Sequence, residues 1–275
     1  MKNFLEHEFE SIAVVIPTYN RVEATLKAVN SALNQSRVPD EIIIIDDGSE
    51  PFIQEQLSRK LKNLNVKLIL AKRSNHPGRV RNIGIESAKS KWIAFLDSDD
   101  TWPRNKIELQ LEFMTRGNYQ ASCTNGKYVI DDLIGEQILR NPKKTLNFRS
   151  LVGKNRIINS SVMINRNLLI EVGGFATSFD IRGVEDLATW FRIANITKWG
   201  VLNRDLVMYC SDSFDSIRSD SEFHQPFNML YAKLDFLNWI QSKSKTKFLP
   251  ALLWIKLFSW ILIASKIFYR VKKDK

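Results

Sequence analysis

Two acidic clusters are the residues best suited to chemistry. One is Asp46-Asp47, followed by Gly48-Ser49; the other is Asp97-Ser98-Asp99-Asp100. Five carboxylates in one crevice repel each other, so something cationic should join them. A hard divalent ion, Mg2+ or Mn2+, takes oxygen ligands and bridges to a substrate phosphate. The Asp97-x-Asp99 spacing in an extended segment sets both carboxylates on one side. A third acidic pair, Glu185-Asp186, lies far downstream. Each group also has a plainer reading: Asp46-Asp47-Gly48-Ser49 as a turn with a helix cap, Asp97–Asp100 as a solvated loop, and Glu185-Asp186 as acids favoured at a helix N-terminus.

These residues need elements to position them. Ile12–Ile16 is a short continuous apolar run, as a buried parallel strand requires. Val22, Leu26, Val29 and Leu33 then recur at helical spacing. Ile42–Ile45 predicts a second strand, and Ser49 with Pro51 the start of a second helix. A strand over Val66–Leu70, a helix over Val80–Ala88 and a strand over Trp92–Leu96 complete the pattern. This alternation predicts βαβ units and an open parallel α/β sheet. Ligands bind such sheets at the carboxyl ends of the strands. Strand one ends in Pro17-Thr18-Tyr19-Asn20, strand two in the Asp46 cluster and strand four in the Asp97 cluster. The second half is less regular. Strands are expected near Ala121–Cys123, Tyr128–Ile130, Ser161–Ile164 and Gly200–Met208, and a helix over Glu185–Ala194. Residues 211–221 read as a polar loop, with helices over about Pro226–Ile240 and Leu249–Arg270.

Composition narrows the partners. The 275 residues carry 40 Lys+Arg against 30 Asp+Glu, a net charge of +10. Residues 241–275 hold nine Lys/Arg and one acid, so the first 240 residues are nearly neutral. A nucleic-acid groove spread over the fold is not expected. There is no GxGxxG and no GxxxxGK[ST], so a dinucleotide fingerprint and a P-loop are unsupported. Phosphate contact would fall to a metal and to Arg79 and Arg81. Cys123 and Cys210 make neither a disulfide framework nor a zinc site. The start, MKNFLEHEFES, lacks the apolar stretch of a signal peptide, which implies a cytoplasmic site with both thiols reduced. His7, His76 and His224 read as surface or structural residues. Phe248–Tyr269 is apolar, but Lys256, Ser259, Lys266 and Arg270 share one arc, and both flanks are basic. That pattern suits an interfacial helix on an anionic membrane surface better than a spanning one.

Six motifs in order carry a resemblance. They are Val14–Asn20, Ile45–Ser49, Arg81–Ile85, Phe95–Asp100, Gly173-Gly174-Phe175 and Glu185-Asp186. Together they resemble glycosyltransferase family 2, inverting nucleotide-sugar enzymes of GT-A fold, over roughly residues 11–210. The resemblance implies an α/β, Rossmann-like, mostly parallel sheet flanked by helices. It implies a glycosyltransferase domain over 1–221, with a nucleotide-sugar half (about 11–100) and an acceptor half (about 101–210). Residues 222–275 would form C-terminal helices, with a membrane-associating segment over 243–275.

Roles carry over residue by residue. Pro17, Thr18 and Tyr19 would line the nucleobase pocket, with Asp47 on the base and Asp46 supporting that loop. Arg79, Arg81 and Asn82 would sit near the ribose or diphosphate. Asp97 and Ser98 would face the donor. Asp99, with Asp97, would hold Mn2+ or Mg2+, with Asp100 beside it. Asp186 would be the general base, Glu185 a donor or acceptor contact and Trp190 a wall of the acceptor site. Many members follow the last strand with Tyr-Arg-x-His; here it is Tyr209-Cys210-Ser211-Asp212, which leaves Arg218 or His224 as substitutes. The expected activity is inverting transfer from a nucleoside-diphosphate sugar, taken as a UDP-sugar, to a hydroxyl of a glycan or lipid-linked acceptor at the inner membrane face, in surface-polysaccharide synthesis. Two alternatives remain at this point: a sugar-phosphate nucleotidyltransferase and a non-catalytic membrane-bound scaffold.

Overall fold

The computed structural model describes residues 10–131, 133–178, 181–210 and 225–243. The first half alternates strand and helix: β1 (Ile12–Thr18), α1 (Val22–Leu33), β2 (Glu41–Asp46), α2 (Pro51–Leu61), β3 (Lys67–Leu70), α3 (Pro77–Ser87) and β4 (Trp92–Phe95). Next come α4 (Lys106–Gly117), β5 (Ala121–Ile130), β6 (Leu133–Gln137), β7 (Thr145–Leu146) and α5 (Phe148–Val152). After a 3-10 turn at Asn159–Ser161 follow β8 (Met163–Asn165), α6 (Arg166–Glu171), α7 (Glu185–Ile196), β9 (Trp199–Cys210) and α8 (Gln225–Lys243).

The nine strands form one sheet in the order β3-β2-β1-β4-β8-β5-β9-β7, with β6 paired to β5. Strands β1 to β4 are mutually parallel, and β5 pairs β9 in the same sense. The short β8 is antiparallel to both β4 and β5. This insertion joins the two halves edge to edge and brings the chain before β8 beside the end of β4.

The apolar run of β1 works on both faces. Ala13 and Val15 join the core covered by α3, α5, α7 and α8, while Ile12, Val14 and Ile16 join the one under α1, α2 and α4. All five are fully buried, as a central strand covered by helices on both sides demands. Alternation of side chains along the strand is what divides them.

Two expectations are revised. The strands expected near 121–123 and 128–130 are one long strand, β5, whose register slips between Thr124 and Lys127 as it follows β9. The helix assigned with the C-terminal segment, α8, belongs to the body. Ala232, Phe236 and Ile240 are buried in its core, and Phe236 packs on Phe148 and Phe191 at ring distances of 4.6 and 6.1 Å. Arg192 of α7 donates to Asp235 of α8 at 2.5 Å. The expected 211–221 loop, the helix at 249–270, and Arg218 and His224 lie outside the described residues. No helix among the described residues is long and apolar enough to cross a membrane.

Candidate active site

The carboxyl ends of β1, β2 and β4 meet the N-terminus of α7 and the 3-10 turn before β8. The β2 end is closed by its own acids. Asp46, fully buried, accepts from the Ser49 amide at 3.0 Å, from Gln54 Nε2 at 2.7 Å and from the Ser49 hydroxyl. The Ser49 hydroxyl in turn accepts from the Asn20 amide at 2.8 Å, which ties the ends of β1 and β2. Gly48 makes the turn with φ +67°, and a Cβ there would lie 2.5 Å from the Arg73 amide. Asp46 therefore braces the turn after β2.

Asp47, 4% exposed, accepts from the amides of Ser74 and Asn75 at 2.7 and 3.0 Å and pairs with Arg73. The Arg73 guanidinium lies 3.5 Å from the centroid of the half-exposed Tyr19 ring. Tyr19, Arg73 and Asp47 thus build one wall of the crevice. Pro17 is half-buried within β1, and the Thr18 hydroxyl is turned inward to Thr25 at 2.6 Å.

The β4 end is different. Asp97 Oδ1 accepts from Arg81 and from Asn159 Nδ2, each at 2.8 Å, and Asp99 Oδ2 accepts from Arg21 at 2.6 Å. Their side chains keep 27% and 24% exposure, and the second oxygen of each has no protein donor among the described residues. Asp100 is buried and accepts from the Ser160 hydroxyl and from the Cys210 amide at 3.1 Å. Burial first, then Asp99 and Asp97, push its pKa well above the usual carboxylate range, against those two donors. Ser98 is buried beside it.

Arg81 is the centre of the crevice. Its guanidinium is buried, donating to Asp97 at 2.8 Å and to Glu185 at 2.9 Å. Burial alone would lower its pKa, but Asp97, Glu185 and Asp186 outweigh that and raise it. One permanent cation therefore holds the end of β4 to the start of α7. Glu185 spends its other oxygen on the Gly183 amide at 2.6 Å. Asp186 is 8% exposed and accepts from the Leu187 amide at 2.6 Å.

Two expected contacts are corrected. Trp190 is fully buried, packed on Phe175, Phe95 and Trp199 at 5.4, 6.4 and 5.2 Å. One helical turn after Asp186 leads into the core, so Trp190 supports α7 from beneath and does not wall the acceptor. Asn82 closes a clamp on the Phe175 backbone, donating to its carbonyl at 3.0 Å and accepting from its amide at 2.7 Å. Gly174 permits this at φ +68°, since a Cβ would meet Asn82 Oδ1 at 2.5 Å. Arg79 is exposed and reaches the Thr177 carbonyl at 3.4 Å, while Arg81 is an internal clamp between carboxylates.

Sequence reasoning gave no role to Arg21, Arg73, Asn159 or Ser160. Arg21 directly follows the Tyr19-Asn20 motif and Arg73 follows β3, so the rule that ligands gather at strand ends could have found both. Asn159 and Ser160 carry no such signal, because only the insertion of β8 next to β4 brings them there. His76 is buried and bonds the Ser178 carbonyl at 3.0 Å, the structural place expected of it.

Asp97 and Asp99 fit a hard divalent ion of the kind that keeps most of its coordination for water and substrate phosphate. The set is lean: among the described residues no three His, Cys, Asp or Glu converge as a self-sufficient metal cage. Arg21 already neutralises part of Asp99.

A strand-end crevice of this kind, lined by acids and guanidiniums on a mixed α/β sheet, defines the class, and comparison with known proteins gives the family. The model of glycosyl transferase family 2 matches residues 13–175, and the chain belongs to that family. A glycosyltransferase of Rickettsia conorii is 33% identical over 71% of the chain, although the match spans only 32% of that protein. The Escherichia coli protein WfaP, described as a UDP-Glc:alpha-D-GlcNAc-diphosphoundecaprenol beta-1,3-glucosyltransferase, is 27% identical over 86% of the chain and 88% of its own length. The crystal structure of S. aureus TarS 1-349 in complex with UDP-GlcNAc superposes with a TM-score of 0.66 at 18% identity, over 84% of this chain and 66% of that one. The fold is the GT-A fold. The chain spans about a third of the rickettsial relatives it matches.

Proposed function

We propose that the protein is an inverting glycosyltransferase that moves a sugar from a UDP-sugar to a hydroxyl of a glycan or lipid-linked glycan acceptor. The observation that carries this reading is the Arg81 bridge. It fixes Asp97, at the donor end of β4, and Glu185, at the start of α7, on one buried cation at 2.8 and 2.9 Å. Asp99 lies two residues beyond Asp97 and Asp186 directly follows Glu185, so both fall beside this bridge.

Tyr19 and Arg73 bind the nucleobase end of the donor, with Asp47 holding Arg73 and the loop after β3 in place, and Asp97 orients the ribose and the sugar. A Mn2+ or Mg2+ ion held by Asp99 and Asp97 would neutralise charge on the departing nucleoside diphosphate. Asp186 takes the proton from the acceptor hydroxyl as that oxygen attacks the anomeric carbon. Glu185 is poorly placed for that work, because both its oxygens are already engaged. Attack from the face opposite the leaving group inverts the anomeric configuration. The relative that acts on a diphosphoundecaprenol acceptor supports a lipid-linked substrate in surface-polysaccharide synthesis. Residues 243–275, with their basic excess, would hold the enzyme peripherally on the cytoplasmic membrane face; no nucleic acid is involved.

Incubation with a panel of UDP-sugars, a glycosyl-diphospholipid acceptor and Mn2+ tests this. The product's anomeric coupling by NMR should be opposite to the donor's, and EDTA should stop transfer until the ion is restored. Retained configuration would overturn the direct displacement, and transfer undiminished by EDTA would overturn the metal.

A further inference from the structure

A cavity is lined by residues outside the acidic crevice. This cavity of about 360 Å3 opens beneath the β5–β6 hairpin, between it, the loop at 154–156 and the Val201 end of β9. Its apolar floor includes Ile138, Leu146 and Val201, and its charged lining is Arg140, Lys143, Lys154, Arg156 and one acid, Glu136. Glu136 is already paired with Arg140 at 2.5 Å. Lys143, Lys154 and Arg156 form no ion pair among the described residues. Three uncompensated cations around one concavity repel each other, and an anion in the cavity would relieve that repulsion.

The cavity is tied to the reaction space by the chain. Arg156 precedes by three residues Asn159, whose amide donates to Asp97, and by four Ser160, whose hydroxyl donates to Asp100. On the other wall Tyr128 packs edge-on against Tyr209 at 5.9 Å, and the next residue, Cys210, donates its amide to Asp100. Beyond the cavity, the hairpin turn exposes Ile130, Leu133 and Ile134 at 53, 74 and 64%. A basic cavity followed by an apolar strip matches an anionic headgroup followed by a hydrocarbon chain.

We propose that this cavity binds the diphosphate of a polyprenyl-linked acceptor, with the hairpin turn against its lipid. The inference rests on the glycosyltransferase reading and names the acceptor's anchoring group.

The test is calorimetric binding of farnesyl diphosphate, inorganic pyrophosphate and farnesol to the full chain, each with UDP saturating the donor crevice. The wild type should bind farnesyl diphosphate, bind pyrophosphate more weakly and not bind farnesol. Lys143→Gln/Lys154→Gln/Arg156→Gln should weaken farnesyl diphosphate at least ten-fold with UDP affinity unchanged, and Arg156→Lys should retain it. Should the triple variant fail to fold, Lys154→Gln alone, at an exposed position, should cost at least three-fold. Unchanged farnesyl diphosphate affinity in the folded variant, or equal binding of farnesol, would overturn the site. Pyrophosphate binding as tight as farnesyl diphosphate would overturn the lipid assignment. A wild type that does not bind UDP would instead sink the reading of the donor crevice.

Discussion

The two acidic clusters of the donor half look alike in sequence and differ in use. Asp46 and Asp47 are 0 and 4% exposed, and their oxygens are taken by Ser49, Gln54, Arg73 and the amides of Ser74 and Asn75. Asp97 and Asp99 each engage protein donors through one oxygen and keep about a quarter of their side-chain surface. The first cluster builds the wall of the crevice, and the second is left able to act in it. A pair of aspartates at a strand end is therefore not a site by composition. What decides is how much of each carboxylate the fold has already satisfied.

The largest way to break the contrast is Arg81→Met. Removing the shared cation leaves Asp97 and the buried Glu185 uncompensated, a loss of about 3–5 kcal/mol for a buried pair. Denaturant midpoints should fall accordingly, and turnover should vanish even where folded protein remains. Asp186→Asn tests the proposed base. Transfer should drop by about 100-fold to 10,000-fold, the usual range for a lost general base, in protein that circular dichroism shows to be folded. Full activity in that variant would remove Asp186 from its role.

A smaller effect lies outside the site. Lys106 is fully buried, its amine has no hydrogen-bond partner among the described residues, and it lies 3.7 Å from the centroid of the Trp102 ring. Burial drives its pKa well below the ordinary lysine value. The unfolded chain then binds a proton that the fold does not, so stability rises with pH from the depressed pKa up to the ordinary one. Lys106→Met should stabilise the protein by about 1–2 kcal/mol at neutral pH, flatten that rise and leave transfer intact. Melts of both proteins across pH 6–10 check it.

Much of the donor half was legible because parallel strands announce themselves as buried apolar runs. Ile12–Ile16 and Ile42–Ile45 lie within β1 and β2, and the expected helix at 22–33 matches α1. Polar residues after such runs must fall at the ligand edge. The acceptor half was less legible because its geometry depends on long-range pairing. β8 is three residues long, yet it places Asn159 and Ser160 on Asp97 and Asp100. Trp190 misled because helical spacing gives the distance from Asp186 but not the face: α7 is buried from Glu185 through Ala194. Both α7 and α8 were expected as helices, but their packing on each other was not legible.

On this reading Asp99 acts in the reaction while Asp46 only braces the loop. UDP release from a UDP-sugar, measured side by side for Asp99→Asn and Asp46→Asn and normalised to folded protein, tests it directly. Asp99→Asn should be stable and inactive, and Asp46→Asn less stable but within a few-fold of wild-type turnover. Wild-type turnover in Asp99→Asn, or a stable and inactive Asp46→Asn, would contradict it.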